Sequence, residues 1–204
     1  MPPSSSESEV VPRSVAVPDS RGNALFFRAW LRAPLSIASL VPSSRATGEA
    51  FARVLEPHGE GDILELGSGT GAISQTLLAA GIPERRLIMV EREPDLAAHL
   101  RRRFPAVRTI EGDAADLDAL LSAHGIRHLS AVVSSLPIVW FSLDAQASIL
   151  RACFDRLGAA GEFLQMTNQP ASPLPMRKLK IAGERASTIW RNFPPSFIWR
   201  YWRE

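Results

Sequence analysis

The chain has few of the features that define disulfide-rich, membrane-spanning or strongly cationic proteins. Its 204 residues include a single cysteine, Cys153, so no disulfide can form within the chain. No segment approaches the ~18 to 20 consecutive apolar residues that a membrane-spanning helix requires. Lysine and arginine total 23 and aspartate and glutamate 21, which is too close to balance for a protein whose main partner is a polyanion. The composition therefore predicts one globular domain that needs neither disulfides nor a metal.

The two ends of the chain differ from its middle. Residues 1–20 are rich in serine and proline and lack the basic start and apolar run of a secretory signal, so we predict a disordered tail there. The last thirty residues hold seven arginines and lysines against two glutamates, a distribution that suits a surface facing phosphate. Cys153 lies in an amphipathic segment, which predicts a buried structural thiol.

From Gly61 onward, short apolar runs alternate with helical patterns at a period near thirty residues, which is typical of a parallel sheet with crossover helices. The predicted strands are 62–66, 86–90, 107–110, 130–134 and 161–166, and the predicted helices are 73–80, 94–104, 116–124 and 145–157. Two further strands, 186–193 and 196–202, flank Pro194-Pro195 as an antiparallel hairpin. The sequence thus predicts an α/β, Rossmann-like, mostly parallel seven-stranded sheet whose closing hairpin is typical of class I methyltransferases.

A glycine-rich loop over residues 65–71 follows the first predicted strand and opens a helix. Its glycines allow a tight turn and a close approach of the backbone to a ligand. Glu91 ends the next strand, twenty residues past Gly71, where a carboxylate can accept both hydroxyls of a ribose. Glu65 suits the amino group of a methionine tail and would repel a pyrophosphate, so S-adenosylmethionine fits better than a dinucleotide.

A second acidic motif, Gly112-Asp113-Ala114, follows the third predicted strand. Its carboxylate can reach the exocyclic amine of an adenine, or can cap the following turn, and the two roles are compatible. For Glu91, the alternative is a solvated charge beside Arg92. The candidate cofactor residues are Glu65, Gly67, Ser68, Gly69, Thr70, Gly71, Glu91, Arg92, Gly112, Asp113, Ala114 and Ser134.

The segment Ser134-Ser135-Leu136-Pro137 follows the fourth predicted strand, where class I methyltransferases line the transferred methyl group. Enzymes that methylate the amino group of adenine usually carry an asparagine or aspartate first and an aromatic residue last. Ser134 and Ile138 occupy those places here, which argues against a stacked base. None of the four histidines falls at a strand end, so no dedicated base is evident.

Before the domain lies a segment with aromatic and basic residues in helical spacing. At 100° per residue, Arg28 and Arg32 share one face and Phe26, Phe27 and Trp30 another. In an interfacial helix, rings enter the headgroup boundary while the basic face meets anionic lipid. The alternative is an ordinary amphipathic helix packed on the domain.

Six motifs follow one another in a fixed order along the chain, at residues 26–31, 41–45, 65–71, 133–137, 165–167 and 172–175. In this order they resemble the bacterial phospholipid N-methyltransferases of the PmtA type. The resemblance spans roughly residues 24–203 and rests on the combination of the motifs. One departure is Asn168, where many relatives would carry an aromatic residue.

The resemblance implies a cytoplasmic enzyme, bound peripherally to the inner, anionic face of the cell membrane. It would methylate phosphatidylethanolamine through its mono- and dimethyl forms toward phosphatidylcholine, with S-adenosylmethionine as donor. Residues 21–45 would form membrane-binding or lid helices, and 46–204 the methyltransferase domain. Ser134, Ser135 and the Leu136 carbonyl would orient the amine. The phosphodiester candidates are Arg45, Gln165, Arg177, Lys178 and Lys180, each basic one alternatively a solvated surface residue.

Three other functions share parts of this pattern. A ribosomal RNA adenine N6-dimethyltransferase has the same fold and adenosine pocket, but it needs a basic groove and an aromatic clamp, which are missing or weak in this sequence. A non-catalytic membrane-binding protein would not need the complete set of cofactor residues. A small-molecule N-methyltransferase would leave the aromatic and basic helix unexplained. We therefore expect a lipid substrate, with neither nucleic acid nor metal as a partner.

Overall fold

The computed structural model of the chain describes residues 40–55 and 61–204, with side chains from Arg45 onward. The predicted tail at 1–20 lies outside these residues, as do the predicted membrane contacts Phe26, Phe27, Arg28, Trp30 and Arg32. The membrane helix therefore stays a prediction. In the described part of the chain, no helix is long and apolar enough to cross a bilayer.

Six α-helices and seven β-strands form the described residues. The helices are α1 (Leu40–Val54), α2 (Ala72–Ala79), α3 (Pro94–Arg103), α4 (Leu117–Ala123), α5 (Leu143–Phe154) and α6 (Met176–Leu179). The strands are β1 (Asp62–Leu66), β2 (Leu87–Glu91), β3 (Arg108–Glu111), β4 (Leu129–Ser134), β5 (Leu157–Thr167), β6 (Ile181–Ile189) and β7 (Ser196–Arg203). Single turns of 3-10 helix lie at Glu84–Arg86, Ala114–Asp116 and Ile138–Trp140.

The strands form one sheet in the order β3-β2-β1-β4-β5-β7-β6. β1 to β5 pair in parallel, and β7 runs antiparallel between β5 and β6. The predicted mostly parallel seven-stranded sheet with a closing hairpin is confirmed. We call the edge at which Leu66, Glu91, Ser134 and Thr167 end their strands the carboxyl edge.

Apolar side chains cover both faces of the sheet. Ile63 packs in one cluster with Leu77 of α2, while Leu64 packs in a second with Ile149 of α5. This alternation follows from the two-residue period of a strand. Cys153 lies fully buried in the second cluster, where burial raises the pKa of its thiol. The prediction of a buried structural thiol is confirmed.

The closing hairpin begins earlier than predicted. β6 starts at Ile181 and ends at Ile189, whereas the strand-like run before Pro194-Pro195 predicted a strand over 186–193. That prediction was wrong at both ends, because Trp190 and Phe193 lie exposed in the turn and pair with no strand. Residues 181–185 form the first part of this strand instead, and they pair with the last residues of β7.

The register of the hairpin decides which edge its turn occupies. Thr167 at the end of β5 pairs with Phe197, which in turn pairs with Thr188 near the end of β6. The turn at 190–195 therefore lies at the carboxyl edge. At the other end of the hairpin, Ile181 pairs with Arg203, which places α6 beside the opposite edge of the sheet.

The packing of the hairpin predicts a stability difference between two glycines. A Cβ on Gly183 would clash with Tyr201 Cδ1 and lie 2.8 Å from the carbonyl oxygen of Arg200, whereas one on Gly158 would meet nothing within 4 Å. We expect Gly183→Ala to lower the free energy of unfolding by about 1 to 3 kcal/mol. Gly158→Ala is the control and should change it by less than about 0.5 kcal/mol. Chemical denaturation measures both, and equal effects would contradict this account of the packing.

Candidate functional site

Glu65 is a fully buried carboxyl group near the end of the central strand β1. Ser74 of α2 donates a hydrogen bond of 2.6 Å to its Oε2, and Oε1 has no partner among the described residues. Burial raises the pKa of Glu65 from 4.5 to about 8; the Ser74 hydrogen bond opposes this shift and the charge of Glu91 adds to it. A buried oxygen without a donor is costly, so this position suits a ligand that brings a cation or an N–H group.

The glycine-rich loop packs closely against the chain segments around it. Gly67 has φ of 76°, a conformation that strains any residue with a side chain, and a Cβ there would also lie 2.9 Å from Leu136 Cδ2. Its N–H donates to the carbonyl of Val90 at 3.0 Å. Gly71 has φ of 79°, and a Cβ there would lie 2.5 Å from Phe104. The loop backbone is thus fixed where the sequence predicts a cofactor cradle.

Glu91 holds this loop from the neighbouring strand. The residue is only 4% exposed, which rules out the alternative of a solvated charge. Its Oε2 accepts from the Gly69 N–H at 2.8 Å, and its Oε1 accepts from the Glu93 N–H at 2.9 Å. Each carboxylate oxygen can accept a further bond, so binding to ribose hydroxyls stays a prediction beside the structural role.

Asp113 follows β3 and serves as a cap. Its Oδ1 accepts from the Ala115 N–H at 2.9 Å, and its Oδ2 lies 3.5 Å from a guanidinium nitrogen of Arg92. A Cβ on Gly112 would meet Leu120 Cδ1 at 2.5 Å, so the backbone comes close to α4 at this point. The capping role is therefore present, and a contact with adenine stays a prediction.

The segment after β4 is tied to the glycine loop and to β5. Ser135 Oγ donates to the Gly67 carbonyl at 2.8 Å, and Gln165 Nε2 donates to the Leu136 carbonyl at 2.8 Å. Gln165 is fully buried and thus positions this segment, a role that the sequence did not reveal. Ser134 Oγ and Gln165 Oε1 are buried and have no partner among the described residues. Two buried polar oxygens therefore lie without a described partner near the ends of β4 and β5.

Arg45, the first phosphodiester candidate, lies on α1 and lines an open cavity of about 530 Å³. Arg191, from the hairpin turn, lines the same cavity, and Glu49 lies between the two arginines. Arg45 Nε is 3.1 Å from Glu49 Oε1, and Arg191 Nη1 is 3.5 Å from Glu49 Oε2. Sequence reasoning missed Arg191, whose only signal was its place in the basic terminal segment.

The other basic candidates lie elsewhere. Arg177 and Lys178 are in α6, and Lys180 immediately precedes β6, all exposed beside the edge opposite the carboxyl edge. The structure does not bring these three residues together with Ser134 or Arg45. In the described residues, no group of three or more histidine, cysteine or acidic side chains is arranged to hold a metal ion.

The sequence of the chain is similar to those of known methyltransferases. A family model described as "Methyltransferase domain" matches residues 63–161. An ornithine lipid N-methyltransferase of Singulisphaera acidiphila is 34% identical over 149 residues, which span 72% of this chain and 78% of that protein. A ribosomal RNA small subunit methyltransferase A of Anaeromyxobacter dehalogenans is 31% identical over 192 residues, 86% of this chain but only 66% of that protein.

A solved structure supports the fold. The 1,6-didemethyltoxoflavin-N1-methyltransferase of Burkholderia thailandensis, crystallised with S-adenosylhomocysteine, superimposes with a TM-score of 0.62. The two chains are 15% identical, and the match covers 95% of this chain and 94% of that one. At this identity the likeness concerns the fold alone.

The raised pKa of Glu65 predicts that stability depends on pH. The folded protein binds the proton more tightly than the unfolded chain does, so the free energy of unfolding should fall as pH rises from about 4.5 to 8. Glu65→Gln should remove most of this slope, whereas Glu84→Gln, at an exposed position, should leave it intact. Urea unfolding across this pH range measures the slope, and an unchanged slope in Glu65→Gln would refute the assignment.

Proposed function

Because the chain belongs to the S-adenosylmethionine-dependent methyltransferases, we propose that it methylates the amine of a zwitterionic membrane lipid, phosphatidylethanolamine, toward phosphatidylcholine. The observation that carries the proposal is the pair of arginines, Arg45 and Arg191, at the carboxyl edge, together with a lipid N-methyltransferase relative. The enzyme would work at the inner face of the cell membrane, as a peripheral protein.

The described residues fit the cofactor. The unpartnered, buried Oε1 of Glu65 is a place for the ammonium of a methionine tail. Such pairing would bring the pKa of Glu65 down from about 8, so that the carboxyl group is charged when the cation is present. The fixed loop at 67–71 and the carboxylate of Glu91 would hold the nucleoside. When bound, S-adenosylmethionine supplies a methyl group on a sulfonium, which a nucleophile displaces in line.

The chain's part in the transfer is to position a neutral amine. Ser134 Oγ, buried and without a described partner, would accept a hydrogen bond from an N–H of the primary or secondary amine and so orient the nitrogen lone pair. The Leu136 carbonyl already accepts from Gln165, so this bond fixes the segment that carries the acceptor groups. The ammonium must lose its proton first, and an apolar surrounding lowers its pKa.

Arg45 and Arg191 would bind the acidic group of the headgroup. Both side chains are more than 80% exposed, and both are paired with the one carboxylate of Glu49. This trio carries one net positive charge, which suits a single phosphodiester or carboxylate better than a polyanion. Glu49 would lose part of its hold on the arginines when the lipid binds.

The main test is methyl transfer from labelled S-adenosylmethionine to three acceptors measured in parallel. The acceptors are phosphatidylethanolamine in anionic vesicles, ornithine lipid in the same vesicles, and small-subunit ribosomal RNA. We expect mono-, di- or trimethylated products of phosphatidylethanolamine, separated by chromatography. Label in ornithine lipid alone would show that the headgroup was wrongly assigned, and label in RNA alone would contradict a lipid substrate. Glu65→Gln should lose transfer, and Glu84→Gln should keep it.

The arginine pair predicts that substitutions of the arginines and of Glu49 change the KM for lipid in opposite directions. Arg45→Gln and Arg191→Gln should each raise the KM for lipid by about two- to fivefold with little change in kcat, since exposed ion pairs are weak. Glu49→Gln should lower the KM, because it frees both arginines. Arg177→Gln, at the opposite edge, is the matched control. Steady-state kinetics on vesicles measure these constants, and a raised KM in Arg177→Gln alone would move the headgroup site to α6.

A further inference from the structure

Large apolar side chains are exposed mainly at one edge of the molecule. Among the described residues, those with more than a third of their surface exposed are Val139, Trp140, Leu143, Trp190, Phe193 and Trp202. The first five follow β4 or lie in the β6–β7 turn, and both segments are at the carboxyl edge. Trp202 alone lies near the opposite edge, because it pairs with Ala182 at the start of β6.

The turn carries the most exposed of these side chains. Trp190 is 78% exposed and Phe193 is 98% exposed. Since β4 and β7 are separated only by β5, the strand ends that lead to the turn and to the 139–143 segment lie roughly 10 to 14 Å apart along the edge. They therefore flank the end of β5, next to the buried Gln165.

A buried polar network holds the turn in place. Asn192, 3% exposed, donates from Nδ2 to Thr47 Oγ1 at 3.2 Å and to Ser196 Oγ at 2.8 Å. Ser196 Oγ donates in turn to Asn168 Oδ1 at 2.8 Å. The aromatic rings are thus presented on a turn anchored to α1 and to the end of β5.

The charge beside the rings is positive. Arg191 sits between Trp190 and the anchoring Asn192 with its side chain 82% exposed, and Arg45 of the same cavity is 83% exposed. Tryptophan and phenylalanine beside arginine suit the boundary between lipid headgroups and acyl chains, where rings meet hydrocarbon and the guanidinium meets lipid phosphate. A single arginine among residues 190–195 is too little charge for a nucleic-acid surface.

We propose that the β6–β7 turn, with Trp190 and Phe193 as its inserting side chains, docks the carboxyl edge onto an anionic lipid surface. The 139–143 segment contacts the same surface on the far side of β5. This inference rests on the proposed function, because it places the entrance of the amine site against the headgroups. It is independent of the predicted helix before residue 40.

A probe at single positions of the full chain tests the docking. The native cysteine is buried, so a thiol-reactive, polarity-sensitive dye can be placed selectively in Phe193→Cys and, as a matched control, in Trp202→Cys. On adding phosphatidylglycerol and phosphatidylethanolamine vesicles, we expect the emission at position 193 to shift to the blue and that at 202 to stay. No shift at 193, an equal shift at 202, or a shift at 193 only with ribosomal RNA would overturn the proposal.

An activity readout separates this proposal from the proposed function. The double variant Trp190→Ser, Phe193→Ser should lose at least about tenfold in transfer to vesicles. It should keep its transfer to a short-chain, monomeric phosphatidylethanolamine, and Trp202→Ser should keep both activities. Equal loss on both substrates would overturn the docking role. If the unaltered protein methylates neither lipid, the proposed function fails, while the dye at 193 still decides whether the turn enters the bilayer.

Discussion

The parallel pairing of β1 with β2 on one side and β4 on the other determines the geometry of the site. Leu66 pairs with Val90 and with Ser134, so the ends of three strands lie level at one edge. The segments that follow β1 and β4 are then joined to a neighbouring strand by backbone hydrogen bonds, from the Gly67 N–H to Val90 and from the Ser135 N–H to Leu66. With these backbone bonds in place, the buried Glu65 can keep an oxygen without a partner, since the surrounding core compensates for the cost.

The same pairing divides the polar groups between two faces. Glu65 lies on the face of the sheet that α2 covers, where Ser74 donates a hydrogen bond to it. Ser134 pairs with Leu66 on one side and Gln165 on the other, and the side chains of these three residues lie on the opposite face. A ligand that satisfies both groups must pass over the edge of the sheet between β1 and β4. Gly67 lies at that crossing, and its positive φ disfavours a residue with a side chain there.

Sequence alone predicted the parallel half of the sheet, because strands buried on both faces read as apolar runs and the glycine loop marks the first crossover. It failed in the hairpin, since exposed aromatics such as Trp190 and Phe193 match a strand pattern as well as buried ones do. It also failed to predict that Arg45 and Arg191 line one cavity. The two residues are far apart in sequence and come close only because α1 packs beside the hairpin. The clustering of basic residues near the end of the chain concealed that α6 and the turn lie at opposite edges.

Asn168, which departs from the expected family pattern, has a structural role at the end of β5. Where an aromatic residue was expected, an amide oxygen accepts from Ser196 and thereby joins the end of β5 to the hairpin turn. The same turn carries the exposed rings of Trp190 and Phe193, and apolar surface of this kind is unfavourable in water. Because the network of Asn192 and Ser196 is buried, the turn cannot fold these rings inward without breaking hydrogen bonds. The proposed docking on an anionic lipid surface would cover these rings, and the arginines beside them favour such a surface.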